Sequence, residues 1–187
     1  MRQVSGWVSL TAEEMLEEWK KRKGFYQGLR NCEVEREDGV DLDGLLSREM
    51  EDWYMRILSE APIADLAVEE ISSKCRVTVD REGVAVIELP MGCVRVVSVR
   101  LSGWRISCLS VYSESSSMAR RQVNPWLRGG ASSPVCVGVG RRILAYSAVP
   151  NAGDCLESLF AVCRPAEGCY EFSERLWHYF PEYFDEI

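Results

Sequence analysis

Arg76-Val77-Thr78-Val79-Asp80-Arg81-Glu82-Gly83-Val84-Ala85-Val86-Ile87-Glu88-Leu89 is the stretch that decides the fold class. Val-rich runs of period two flank Arg81-Glu82-Gly83, a pattern that predicts a β-hairpin with glycine in its turn. Leu89-Pro90-Met91 breaks the second strand, because proline donates nothing to a ladder. Val94 to Leu101 resumes it, Ser102-Gly103 reads as a turn, and Trp104 to Val111 as another short strand. Pro134 to Val139 and Arg142 to Val149 read as a second hairpin, and Leu156 to Cys163 as a further strand.

Outward from this β region the period changes. Leu42, Leu45, Leu46, Met50, Trp53, Tyr54, Ile57 and Leu58 recur at spacings of three and four, which predicts an amphipathic helix capped by Asp41 or Asp43 and ended by Ala61-Pro62. Thr11-Ala12-Glu13-Glu14 reads as an N-cap with two acids at the positive end of a helix dipole. That helix runs to about Lys23, and Gly24 stops it. At the other end, Gly168 precedes a terminal helix starting at Phe172 to Arg175, with Leu176, Trp177 and Phe180 apolar. Helices first, then five to seven antiparallel strands, then a helix, without βαβ alternation, argue α+β. The expected parts are a helical part at 1–72, an antiparallel β part at 73–165 and a C-terminal helix or tail at 166–187. Residues 24–40 and 113–133 read as loops that order on assembly.

The chain has 187 residues, 47% hydrophobic and 27% charged, which is a globular composition. Its apolar runs are too short to cross a bilayer, so no membrane is expected, and Met1 to Trp7 offers no apolar signal core, so secretion is not expected. Net charge is −7, unevenly spread. Residues 1–70 hold 9 Lys and Arg against 17 Asp and Glu; residues 71–150 hold 11 against 4; residues 151–187 hold 2 against 8. A basic middle between acidic ends fits either a nucleic-acid footprint or copies docking on one another. The basic residues are nearly all arginine, the cation enriched in protein interfaces. Arg95, Arg100, Arg105, Arg120, Arg121, Arg128, Arg141 and Arg142 are therefore expected at a subunit or partner interface. Trp177, Tyr179, Phe180, Tyr183 and Phe184 join them, because a segment this aromatic packs on its own domain or on a neighbour.

Catalytic signals are missing. No nucleophile elbow, zinc-helix motif, P-loop or dinucleotide fingerprint occurs, and Arg128-Gly129-Gly130-Ala131-Ser132-Ser133 lacks the lysine and helix of a phosphate cradle. The eight cysteines (32, 75, 93, 108, 136, 155, 163 and 169) include no C-x-x-C pair. They read as small apolar residues in a reducing compartment, not as zinc ligands. His178, the single histidine, sits among aromatics and reads as packed at an interdomain or protein surface. No catalytic residue, metal or cofactor is expected, and the expectation is a non-enzymatic protein. Two rivals remain: a nucleic-acid-binding module using Arg95, Arg100, Arg105, Arg120, Arg121, Arg141 and Arg142, and a small enzyme using a cysteine or His178.

The order of segments also carries a resemblance. The helix ending in Ala61-Pro62 leads to a Val-rich hairpin and then to Leu89-Pro90-Met91-Gly92-Cys93-Val94-Arg95-Val96-Val97-Ser98-Val99. Ser113 to Ser117, Asn124-Pro125, Pro134-Val135 and Leu144-Ala145-Tyr146-Ser147 follow. Across about residues 42–165 this resembles the head–tail adaptor (connector) proteins of tailed bacteriophages. The resemblance implies a homo-oligomeric ring in the virion, assembled in the host bacterial cytoplasm. Such a ring sits beneath the portal protein, docks tail proteins and lets genomic DNA pass without sequence-specific binding. The first 40 residues have no counterpart in it.

Overall fold

The computed structural model describes residues 6–25, 41–146, 156–165 and 168–180. The chain is a mixed α/β protein of two compact units, Met1–Ala67 with Arg164–Ile187, and Val68–Cys163. The sequence pattern predicts three consecutive parts; here the helical and C-terminal segments share one unit. The first unit holds 11 Lys and Arg against 21 Asp and Glu, a net −10, and the second 11 against 8, a net +3. No helix among the described residues is long and apolar enough to cross a membrane.

In the first unit, β1 (Trp7–Thr11) runs into α1 (Ala12–Arg22), and α2 (Leu42–Glu60) follows. Thr11 closes a capping box with Glu14: the Thr11 hydroxyl accepts from the Glu14 N–H at 3.3 Å, and the Glu14 carboxylate accepts from the Thr11 N–H at 2.9 Å. Gly24 ends the helix region at φ 78, a conformation a side chain would resist. Asp41 caps α2 by accepting from the Gly44 N–H at 3.0 Å. Lys20 meets Asp43 at 2.9 Å, and the buried Lys23 ammonium is held by Glu49.

The C-terminal part departs from expectation. Phe172 and Ser173 do not start a helix; they close β10 (Cys169–Ser173), which pairs antiparallel with β1, Trp7 opposite Ser173 and Thr11 opposite Cys169. Among the described residues of this part, Glu174–Tyr179 alone turns, as a 3-10 helix. The spacing of Leu176, Trp177 and Phe180 suits a helix, but pairing with a strand more than 150 residues away overrides local preference. Trp19, Trp53, Tyr54, Tyr170, Phe172, Trp177 and Phe180 build the core of this unit. Trp177 stacks on Trp53 at 5.3 Å and 12°, and Phe180 meets Trp19 at 4.5 Å. The Trp53 Nε1–H donates to the Tyr179 carbonyl at 2.8 Å.

The second unit contains β2 (Glu69–Glu70), β3 (Arg76–Val79), β4 (Ala85–Glu88), β5 (Cys93–Leu101), β6 (Val111–Ser113), β7 (Val135–Val139), β8 (Arg142–Tyr146) and β9 (Leu156–Cys163). They form a three-stranded sheet in the order β2-β9-β5 and a five-stranded sheet in the order β3-β4-β8-β7-β6. Both expected hairpins are present: Gly83, at φ 77, sits in the β3–β4 turn and Gly140, at φ 56, in the β7–β8 turn. Cross-strand pairs Ala85–Ala145 and Ile87–Ile143 face inward with Val99, Leu101, Leu159 and Ala161, so both sheets share one core.

One pairing among the described residues is not antiparallel. β6 lies parallel to β7, Val111 opposite Cys136 and Ser113 opposite Gly138. A parallel pair needs a crossover of a dozen or more residues, and residues 114–134 supply it. The crossover carries α3 (Ser117–Arg121), capped by Ser116, whose hydroxyl accepts from the Ala119 N–H at 3.1 Å. Ala119 and Met118 of α3 join Val135, Val137, Tyr112 and Tyr146 in a second apolar cluster.

Candidate partner-docking surface

The crossover is tied down from within. Gln122, just after α3, is 1% exposed, although glutamine is seldom buried. Its Nε2 donates to the Met118 carbonyl at 3.1 Å, and its Oε1 accepts from the Gly129 N–H at 2.9 Å. The Gln122 carbonyl accepts from Arg128 Nε at 2.9 Å. Arg128 reaches on to the β3–β4 turn, donating to the Glu82 carbonyl at 3.0 Å and to the Glu82 carboxylate at 2.9 Å. Gly129 is needed because an added Cβ would lie 2.7 Å from the Ser133 carbonyl oxygen. Asn124 accepts from the Trp126 N–H at 3.0 Å and caps the 3-10 turn Pro125–Leu127.

What this network supports is apolar and lies in water. Trp126 is 93% exposed and Val123 77%, with Leu127 exposed between Trp126 and the buried end of the loop. Burying an aromatic side chain of roughly 150–250 Å² is worth about 4–6 kcal/mol at roughly 25 cal/mol per Å². The fold forgoes that stabilisation while holding the loop ends with buried hydrogen bonds. Tryptophan and arginine on a preorganised support are the residues that carry binding energy at interfaces. Arg120 and Arg121 stand exposed beside this apolar ledge and form no ion pair among the described residues. The nearby loop shows a further exposed apolar pair, Ile106 and Leu109, and is tied to the crossover by the Arg105 N–H donating to the Ala131 carbonyl at 2.8 Å.

The expected arginines therefore divide. Arg105, Arg120 and Arg121 are exposed without an acid partner among the described residues. Arg100 pairs with Glu157 at 2.9 Å, and Arg142 with Glu88 at 3.8 Å. Arg95, half-buried on β5, is also engaged within the chain. Arg128 is engaged within the chain by the Gln122 carbonyl, Glu82 and the Tyr146 ring. Arg141 contacts Met91 Sδ at 2.8 Å and, with Arg142, borders a depression of about 490 Å³. These side chains are spread over β5, α3, β8 and the loops between them. Trp177 and Phe180 pack on aromatic side chains of their own unit; Tyr179 is 54% exposed, and Tyr183 and Phe184 lie outside the described residues.

Val123, Trp126 and Leu127 were not singled out by sequence. The available signal was Asn124-Pro125-Trp126, a tryptophan placed in a capped turn where no apolar period requires it.

The enzyme alternative finds little support in the thiols. Cys93 lies opposite Cys163 across β5 and β9, and burial pushes its thiol up to about 12. Burial likewise raises Cys75 and Cys163. The hydrogen bond between the two thiols holds Cys108 down at about 6 and drives its neighbour Cys136 up. Cys108, however, is buried in the core with Val99, Leu101 and Trp104, where a substrate has no access. His178 is exposed on the surface of the chain, and no group of His, Cys, Asp and Glu among the described residues is arranged to hold a metal. Comparison with protein families, with characterised proteins and with solved structures finds no match to this chain.

Proposed function

We propose that this chain is a non-enzymatic structural subunit of a tailed bacteriophage or prophage, a head–tail adaptor. Copies assemble into a ring below the portal protein, extend the DNA channel and present a docking surface to tail proteins. The observation that carries the reading is the preorganised ledge of Val123, Trp126 and Leu127 beside Arg120 and Arg121. An exposed apolar ledge flanked by cations marks an interaction surface, which a self-assembling subunit needs. A ring of identical copies also needs two different, complementary faces on each copy, and the chain pairs a unit of net −10 with one of net +3. The phage setting comes from the segment order across residues 42–165, in which the helix ending at Ala61-Pro62 leads to the Val-rich hairpin, the strand after Leu89-Pro90 and the later hairpin ending in Leu144-Ala145-Tyr146. Net charge of −7 keeps passing DNA from being gripped, since phosphates are repelled and not neutralised.

Mass photometry and electron microscopy of the purified protein, alone and with the portal protein of the same phage, test this. Rings, or portal-bound rings, are expected. A strict monomer that ignores the portal overturns the reading. Tight duplex binding that weakens steeply with salt would instead favour a nucleic-acid-binding module.

A further inference from the structure

We infer that the ledge docks into a cleft on the helical unit of a second copy of this chain. The inference rests on the self-assembling reading above and names its contact. The cleft, about 430 Å³, lies between β1, α1 and the C-terminal 3-10 turn. That volume is within the roughly 300–1,000 Å³ of pockets that enclose small ligands. Val8 and Leu10 of β1 and the half-buried Trp177 ring supply apolar surface. The Arg22 guanidinium, 4.0 Å from the Trp177 ring centroid, adds a flat cationic wall that takes the face of an indole.

Charge favours the same occupant. Four carboxylates line the cleft against two cations, Lys21 and Arg22, and both cations are already paired with Glu18, at 3.7 and 3.0 Å. Glu174 forms no ion pair among the described residues, and Glu17 shares Lys20 with Asp43. An incoming apolar tip flanked by two cations meets both needs, and Trp126 with Arg120 and Arg121 is such a tip. The ledge belongs to one unit and the cleft to the other, so each copy gives one face and receives the other, and where the exchange is not reciprocal between two copies the contact is heterologous. Repetition of that contact closes a ring or runs into a filament.

The experiment places p-benzoylphenylalanine at position 126 of the full chain and mixes light and 15N-labelled copies before irradiation. Crosslinks between light and heavy chains that map to α1 or to residues 174–177 are expected. Crosslinks confined to other surfaces, or to single chains, overturn the inference. In parallel, Trp126→Ala is expected to raise the midpoint concentration of assembly at least about thirtyfold, the effect of truncating a hot-spot tryptophan. Arg120→Glu with Arg121→Glu, and separately Glu17→Lys with Glu174→Lys, each weaken assembly, and the four changes together restore it. Circular dichroism confirms that each variant is folded. Should the rings persist unchanged in Trp126→Ala and both reversals, this contact is wrong while the ring reading stands. Should the wild type remain monomeric with and without portal, both fall.

Discussion

Trp53 and Trp126 show the same side chain put to opposite uses. Trp53 is 3% exposed, ringed by Trp19, Phe172, Trp177 and Phe180, and its N–H donates to a carbonyl. Trp126 has no such company; a buried glutamine and an arginine fix the loop that carries it outward. In the helical unit aromatic area is converted into stability, and polar groups serve it. In the crossover of the β unit the order is reversed: polar bonds provide the rigidity, and aromatic area stays available. Large apolar residues therefore mark the core of one unit and the working surface of the other.

The sharpest break of this contrast is Trp53→Ala. It removes the ring on which four aromatic neighbours pack, and a loss of about 3–5 kcal/mol is expected from denaturant unfolding. Next comes the support of the ledge. Gln122→Ala leaves the Gly129 N–H without its acceptor, and Gly129→Ala drives a Cβ into the Ser133 carbonyl oxygen. Each is expected to cost about 1–3 kcal/mol. Limited proteolysis should then cut near residues 122–130 faster than in the wild type. If either variant is neutral, the ledge is not held by its polar network.

Tyr54 gives a smaller, pH-dependent effect. Its hydroxyl accepts from the Glu171 N–H at 3.2 Å and donates to the Glu171 carbonyl at 3.3 Å, and burial pushes it up to about 12. A phenol raised from 10.0 favours the fold while neutral. Its contribution is therefore complete below pH 10 and is lost as the pH rises toward 12. Tyr54→Phe is expected to cost about 1 kcal/mol at neutral pH and to flatten the alkaline arm of the stability profile.

These differences track what a local pattern can record. The two hairpins were legible because period two and a turn glycine are local facts. Both helix starts were legible too, since Thr11 and Asp41 stand a few residues from the N–H groups they cap. The β1–β10 pairing was not, because Trp7 and Ser173 meet only through tertiary contact. Nor was the parallel β6–β7 pair, which depends on how a crossover returns. The candidate site was half legible: Arg120 and Arg121 stood out by charge. Trp126 did not, since sequence marks a tryptophan as apolar and is silent on a glutamine that holds its loop in water.

The smallest expected change in stability is therefore the most informative. Trp126→Ala removes a ring that touches little, so its unfolding free energy should stay within about 0.5 kcal/mol of wild type. The same substitution made at Trp53 should approach ten times that value, with chemistry held constant and only environment changed. A marked loss of stability in Trp126→Ala, measured on the dilute unassembled chain, would mean that this indole packs within its own copy. The contrast between the two tryptophans would then vanish, and with it the reason to treat residues 123–127 as a surface waiting for a partner.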